Sequence, residues 1–553
     1  MRFGKWSAFF LVNGLGVLLL AVLVLAASAQ SGYTVSGVVH DETGPVAGAV
    51  VRVQTTAYTT ETGADGTFTL ELPGEGPFNL TAWAQGYFCV GPVEATAGQT
   101  DVVLTLERHS DLDNPDYTWL SAFAEAGEEG NCQNCHADPD DAASLLPFDE
   151  WRQDAHARTV MNPRFRTMYT GTDVAGNQSP PTRYGYSRDY GSFPLRPDLS
   201  RPYYGPGYRL DFPATSGNCA ACHAPAAAIN APYSTNPLET TGVGAEGVAC
   251  DFCHKVWSVR IDPETGIPYP NMPGVLSFEF RRPPEGHQFF AGPFDDVAPG
   301  EDTYSPIQTQ SQFCAPCHFG VFWDTVVYNS FGEWVESPYS DPEDGQTCQD
   351  CHMPPAGATH FVRPDRGGLE RAPETIYSHR MPGAADETLL QNTAELRLNV
   401  ERDGDRVMVT VDVTNTGAGH HIPTDSPLRQ IFVVVTATDA DGQPLLLAEG
   451  PTLPDWAGDL AGVPGVYFAR ILEEIWTEIS PSGAYWNPTR VVEDTRLPAL
   501  ETATSGYTFS APAEGAVTVE ARLIFRRAFY DLMQQKGWDV PDIVMEESRA
   551  VVD

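Results

Sequence analysis

Cys132-Gln133-Asn134-Cys135-His136 is the first of five stretches with one pattern, and the chain is read outward from them. The others are Cys219-Ala-Ala-Cys222-His223, Cys250-Asp-Phe-Cys253-His254, Cys314-Ala-Pro-Cys317-His318 and Cys348-Gln-Asp-Cys351-His352. They consume ten of the eleven cysteines, and His follows every pair in a chain with only 13 His. Cys-x-x-Cys-His is the signature for covalent haem c attachment. Two thiols at this spacing reach the haem vinyl groups, and the adjacent imidazole reaches the iron from one face. A zinc half-site or a redox dithiol also uses Cys-x-x-Cys, but neither chemistry requires His in the next position. The sequence therefore predicts five haem c groups. They are bound by Cys132, Cys135, Cys219, Cys222, Cys250, Cys253, Cys314, Cys317, Cys348 and Cys351, with iron on His136, His223, His254, His318 and His352.

The segments around the motifs set the compartment. Arg2 and Lys5 precede a largely apolar run from Phe9 to Ala26, and Ala27-Ser28-Ala29 offers a small-residue cleavage site. Residues 1–29 thus read as a signal peptide, with an uncleaved membrane anchor as the alternative. The expected location is exported: periplasmic, cell-surface or extracellular. No cysteine follows the signal until Cys89, which argues against a lipoprotein anchor. A formal charge of −40 argues against nucleic acid, whose phosphates need Lys and Arg. It also disfavours an anionic membrane surface, so membrane contact is expected only through a retained signal. The expected partners are redox proteins with a basic docking surface. Acidity also serves solubility alone.

A chain of 553 residues is too long for one core. Residues 33–107 alternate as short strands broken at Asp41-Glu-Thr-Gly44 and Asp65-Gly66. Residues 110–392 hold all five motifs among many Pro and Gly, which leaves little room for long helices. The haems are expected to supply much of that segment's core. One helix is predicted from Pro147, with Phe148, Trp151 and Ala155 on one stripe and His156 beside it. Residues 393–527 return to alternating strands, among them Val407, Val409, Val411 and Val413. Residues 528–553 read as a short helix and an acidic tail. The predicted fold class is multidomain: an N-terminal β-sandwich, a haem-organised domain of short helices and loops, and a C-terminal immunoglobulin-like β-sandwich. Cys89 reads as a buried apolar residue.

Two resemblances refine this reading. Ser36-Gly37, Gly44-Pro-Val-Ala-Gly-Ala49, Ala64-Asp-Gly-Thr-Phe68 and Ala84-Gln-Gly-Tyr87 resemble the carboxypeptidase regulatory-like family, which implies a transthyretin-like sandwich without catalytic groups. From about residue 115 onward the chain resembles multihaem cytochromes c related to the tetrahaem cytochrome and hydroxylamine oxidoreductase group. The stretches that carry this include Phe148-Asp-Glu-Trp151 with Asp154-Ala-His156, Gly247-Val-Ala-Cys250 and Phe331-Gly-Glu-Trp334. Ser378-His379-Arg-Met-Pro-Gly383 and Gly419-His420-His421-Ile-Pro-Thr424 complete the set. The resemblance implies that His156, His379 and His420 are distal iron ligands. His287, between the third and fourth motifs, and His360, eight residues after His352, are further candidates, with His421 behind them.

Three functions follow as expectations. Iron with two His ligands has no vacant position and only carries electrons. One five-coordinate iron would instead make an oxidoreductase for a small nitrogen or sulfur compound, with Tyr186, Tyr190, Tyr203 and Tyr204 as lining candidates and no assigned catalytic residue. The Cys-x-x-Cys-Lys motif of pentahaem nitrite reductases is absent. An oligomer or extracellular cytochrome filament is the third reading. The motif spacing suggests two close pairs, the second with the third and the fourth with the fifth.

Overall fold

The computed structural model describes residues 32–124, 130–141, 143–297 and 300–553. Residues 1–29, expected from the sequence to be a signal peptide, lie outside them. Among the described residues, no helix is long and apolar enough to cross a membrane. The chain divides into two compact units, residues 1–112 with 283–305, and 113–282 with 306–553.

In the N-terminal unit, strand Thr34–Asp41 pairs antiparallel with Thr67–Glu71 and parallel with Val102–Thr105. The parallel neighbour comes so close at Gly37 that a Cβ there would collide with the Val102 carbonyl, which explains glycine in this strand. A second sheet runs in the order Thr59–Glu61, Val50–Val53, Phe78–Trp83, Val90–Ala95. Both sheets feed one core of Val35, Val39, Val51, Leu70, Leu80 and Leu104. The period-2 alternation explains this: Phe68 and Leu70 are buried while Thr67, Thr69 and Glu71 face water. Buried Asp41 accepts from Thr43 and Tyr87, and Arg108 pairs with it. Cys89 is buried and free, and burial pushes its thiol up.

One boundary differs from the sequence reading. Residues 283–305, expected inside the motif domain, fold with the N-terminal unit. There Phe290–Gly292 pairs with Asp302–Tyr304, Arg52 forms an ion pair with Asp295, and Trp83 donates to Thr303. The reason lies in long-range polar pairing, which no local periodicity reports.

The second unit joins the motif segment to the C-terminal strands in one body. Glu395–Asp403, Arg406–Thr414, Thr502–Ser510 and Leu446–Glu449 form one antiparallel sheet. Thr489–Asp494, Gly465–Glu474, Gln430–Thr438, Val517–Arg526 and Ile543–Val552 form the other. Val407, Val409, Val411, Val433, Val435, Val519 and Leu523 close the core between them. The predicted acidic tail is a correction. Helix Tyr530–Lys536 is present, but Ile543–Val552 then pairs along Val517–Arg526 and buries Met545. Glu546 and Glu547 weaken the apolar alternation there, so pairing rather than pattern makes the strand. Helix Tyr530–Lys536 is tied to the motif segment by Met168, Trp486, Leu532, Met533 and Trp538. Lys536 is fully buried, with Nζ donating to the carbonyls of Thr167, Thr172 and Pro206.

Regular structure in the motif segment is sparse. Its longest helix, Pro163–Thr170, has eight residues and is capped by Asn162. The predicted helix from Pro147 stops at Trp151, and His156 opens a separate 3₁₀ segment, His156–Met161. Asp154 causes this shift in part: its carboxylate takes the His156 amide at 2.8 Å, an Asx-type contact that competes with helix continuation.

Candidate metal centres

Each motif sits on or beside a single helical turn. Cys132–His136, Ala220–His223, Cys250–Cys253 and Cys348–His352 are one-turn helices, and Cys314 follows a 3₁₀ turn at Ser311–Phe313. On such a turn, residues i, i+3 and i+4 share a face, so two thiols and one imidazole project together. All ten motif thiols are free. A closed zinc site needs four ligands around one point. Among the described residues, no three His, Cys, Asp or Glu side chains gather in that way.

The histidines are oriented through Nδ1. His136 donates to the Phe361 carbonyl at 2.7 Å and His352 to the Pro382 carbonyl at 2.7 Å. His318 Nδ1 faces the Asp425 carboxylate at 3.4 Å. Outside the motifs, His156 Nδ1 meets Asp154 at 2.7 Å, His420 the His421 carbonyl at 2.9 Å, and His379 the Tyr377 carbonyl at 3.2 Å. Engaging Nδ1 leaves Nε2 as the metal-binding nitrogen and fixes the ring direction.

Two imidazole pairs then stand out. His156 and His318 have ring centroids 6.3 Å apart at 67°. His352 and His420 are 6.4 Å apart at 13°. An imidazole nitrogen lies about 2 Å from a ligated transition metal and about 1.1 Å from its own ring centre, so two imidazoles on opposite sides of one iron have centroids roughly 6.2 Å apart. Both pairs have the separation that one iron requires. Each joins a motif histidine to a histidine from outside the motifs, on the fourth and fifth motifs respectively.

The supports are specific. Trp151 is buried and donates to the Val248 carbonyl, and the Val248 amide donates to the His156 carbonyl. Gly247 has φ +74°, and a Cβ there would collide with the His156 carbonyl, so glycine lets this segment close on His156. His420 is held by Asn415, whose amide donates to its carbonyl at 2.8 Å. Buried Glu333 accepts from Thr424 at 2.5 Å and pairs with Arg496, anchoring the loop after His420. His379 is held by Glu150, which takes its amide at 2.7 Å and the Ser378 hydroxyl at 3.0 Å. Burial holds the His379 imidazole down to about 4, and neighbouring His254 pushes the same way. His136 of the first motif adds to the effect, so His379 lies within electrostatic reach of the first and third motifs.

The remaining candidates are placed differently. His287 lies in the N-terminal unit with Nδ1 on Glu301 at 2.6 Å, so its partner is a carboxylate instead of an imidazole. His360 contacts the Thr359 hydroxyl at 2.9 Å, and its neighbour Phe361 supplies the carbonyl for His136. His421 Nδ1 is 3.9 Å from Glu333. His223 is half-buried, with Phe165 stacked nearly parallel on it at 4.0 Å. Burial pushes it down to about 4, with the His156 imidazole adding to the effect. Tyr186 and Tyr190 are exposed, and Tyr203 packs against Lys536. The tyrosines that approach Cys219 of the second motif are Tyr169, Tyr208, Tyr328 and Tyr485.

The motifs also lie close to one another. The thiols of Cys132 and Cys250 are near enough to influence each other's ionisation, as are Cys222 with Cys317 and Cys314 with Cys348. Cys253 lies within electrostatic reach of Cys314 and Cys317. The fourth and fifth motifs are thus neighbours as the spacing suggests. The second motif makes its thiol contact with the fourth instead of the third, although Ala220, Ala221, Phe252 and Val256 share one apolar cluster. Arg164, Arg429 and Arg527 form a cationic cluster nearby. Burial pulls Arg527 down to about 10, and the neighbouring guanidiniums of Arg164 and Arg429 add to the effect. Among the described residues the cluster makes no ion pair within 4 Å, although Arg429 faces Asp425. Three clustered guanidiniums fit the two propionate carboxylates that a haem carries.

Sequence reasoning missed Asp154, Asp425, Glu150, Glu333 and this arginine cluster as contributors. Asp154 and Asp425 stood inside or next to quoted stretches, but nothing local says which acid turns toward a ring.

Comparison with known proteins bears on both units. Residues 34–107 match the carboxypeptidase regulatory-like domain. No curated protein matches the chain. Among solved structures, a cohesin–X-dockerin complex from Acetivibrio cellulolyticus aligns over 14% of this chain and 59% of its own, with 18% identity and a TM-score of 0.13. The penta-heme cytochrome c552 from Thermochromatium tepidum aligns over 76% of this chain and 97% of its own, with 20% identity and a TM-score of 0.52. The chain carries a carboxypeptidase regulatory-like β domain at its N-terminus, and its fold is similar to that of a penta-heme cytochrome.

Proposed function

We propose that this chain is an exported c-type cytochrome with five haems that carries electrons, most of its irons held by two histidines. The observation that carries this reading is the pair of imidazole pairs, His156 with His318 and His352 with His420, at the separation of ligands on one iron. Haem c supplies a one-electron iron couple when bound. The ten motif cysteines would hold it covalently, with His136, His223, His254, His318 and His352 on one face. His156, His420 and His379 would close the other face for the fourth, fifth and third motifs. Arg164, Arg429 and Arg527 would bind propionates. Aromatic rings beside the imidazoles, such as Phe165 on His223 and Phe361 on His136, would line the path and help exclude water. We read the two β modules as transthyretin-like and immunoglobulin-like; the second delivers His420 from its loop.

The test is haem stoichiometry and electron paramagnetic resonance on full-length protein from a host competent in haem c attachment. Five covalent haems per chain with low-spin ferric signals are expected. Fewer than five, or loss of low-spin character in most of them, would refute the reading.

A second reading has its own observation. His223 is stacked by Phe165 and lies in a motif whose Cys219 is within electrostatic reach of Tyr169, Tyr208, Tyr328 and Tyr485. This environment suits an open iron position acting on a small nitrogen or sulfur compound. A stoichiometric high-spin signal that vanishes in the Cys219→Ala/Cys222→Ala variant would establish it.

A further inference from the structure

The two imidazole pairs have different acceptors behind them. In the first, His156 Nδ1 meets the Asp154 carboxylate at 2.7 Å and His318 Nδ1 meets the Asp425 carboxylate at 3.4 Å. In the second, His352 donates to the Pro382 carbonyl at 2.7 Å and His420 to the His421 carbonyl at 2.9 Å. His136 and His379 also face backbone carbonyls. Both Asp side chains are largely buried, at 4% exposure for Asp154 and 18% for Asp425. Neither charge is therefore dispersed by bulk water.

A carboxylate draws the ring proton more strongly than a neutral carbonyl, and it raises the basicity of the other ring nitrogen. A more basic ligand stabilises ferric over ferrous iron. The nearby cation Arg429 does not separate the pairs, because it acts on both His318 and His420; Asp425 also acts on His420 through space, but its direct contact is with His318. We propose that Asp154 and Asp425 act as positioning residues that lower the reduction potential at the fourth motif below that at the fifth. This rests on the five-haem reading above. The couple concerned is one electron taken up by iron from a mediator dye, with the ring proton remaining between nitrogen and carboxylate.

The geometry labels each centre for spectroscopy. Nearly parallel imidazole planes, as at 13°, split the iron π orbitals and give a rhombic low-spin signal. Planes at 67° leave those orbitals closer in energy and give a strongly anisotropic signal. In a potentiometric titration of the full-length haem-loaded protein, the anisotropic signal should disappear on reduction at a lower potential than the rhombic one. Asp154→Asn and Asp425→Asn keep size and an acceptor oxygen but remove the charge. Together they should change the oxidised-to-reduced ratio of the anisotropic signal at least tenfold at a fixed poise, about 59 mV for one electron. The rhombic signal should shift less, because Asp425 reaches His420 only through space.

An unmoved anisotropic midpoint, or an equal shift of both signals, would overturn this inference while leaving five haems in place. If the double variant does not fold, the wild-type order still decides: a rhombic signal reduced at the lower potential overturns the inference. A protein with fewer than five haems overturns the reading beneath it instead.

Discussion

Gly247→Ala is the sharpest perturbation of the candidate site that touches no proposed ligand. Gly247 has φ +74°, where an L side chain costs about 1–2 kcal/mol. Its Cβ would also collide with the His156 carbonyl and lie 2.6 Å from Thr159 Oγ1. Overpacking of this kind costs about 1–3 kcal/mol in a packed interior. The total, about 2–5 kcal/mol, is a large share of a typical domain's 5–15 kcal/mol. Relief requires the His156–Met161 segment to move away, which breaks the Val248 amide to His156 carbonyl bond of 2.9 Å and withdraws the imidazole from His318. The assay is electron paramagnetic resonance with calorimetry, and Gly357→Ala is the control. Gly357 has φ +75° with nothing near its added Cβ, so it carries the conformational cost alone. Gly357→Ala should lose about 1–2 kcal/mol with an unchanged spectrum. Gly247→Ala should lose more and convert the anisotropic low-spin signal to high spin. Full retention of that signal in Gly247→Ala would refute the argument that His156 is held through this contact.

Three further outcomes are expected. Lys536→Met leaves the carbonyls of Thr167, Thr172 and Pro206 without their shared donor, which should cost about 2–3 kcal/mol and speed hydrogen exchange across Pro163–Thr170; unchanged exchange there would count against it. The Thr43 hydroxyl, then Tyr87, hold Asp41 well below the usual carboxylate range. Its folded value lies below its unfolded one, so its stabilisation is complete above about pH 3.8 and is lost as pH falls further. Calorimetry should show the N-terminal unit's acid sensitivity flattened in Asp41→Asn. Finally, protein made without haem attachment should be digested across 113–282 while 34–107 survives. The latter has one core fed by two sheets, whereas 113–282 has smaller apolar clusters that border the motif cysteines, so protease resistance throughout would contradict the idea that haem completes the motif segment.

Legibility from sequence followed the range of the forces involved. The motif turns need only i, i+3 and i+4 geometry, so Cys132 to His136 and its four counterparts were readable directly. The strands around Val407 and Phe68 were readable because one face is buried, which imposes period 2. Pairing of His156 with His318, or of His352 with His420, joins residues far apart in sequence, and family resemblance suggested the outer ligands without their partners. The excursion of 283–305 was illegible because Arg52–Asp295 and Trp83–Thr303 are single long-range polar contacts. Ile543–Val552 was hidden by Glu546 and Glu547, which occupy an edge strand where one row faces water. Asp154 and Asp425 look like any acids in a chain with 73 of them; only their direction distinguishes them.

The contacts among the motif thiols have a consequence for robustness. Treated as a graph of thiols within electrostatic reach, they join the first motif to the third, and the third, second and fifth each to the fourth. This is a tree, and its vertices are unequal. Losing the first, second or fifth motif prunes a leaf and leaves the rest connected. Losing the fourth splits the set into three fragments, so tolerance to damage should depend on which motif is hit, with Cys314 to His318 the least dispensable.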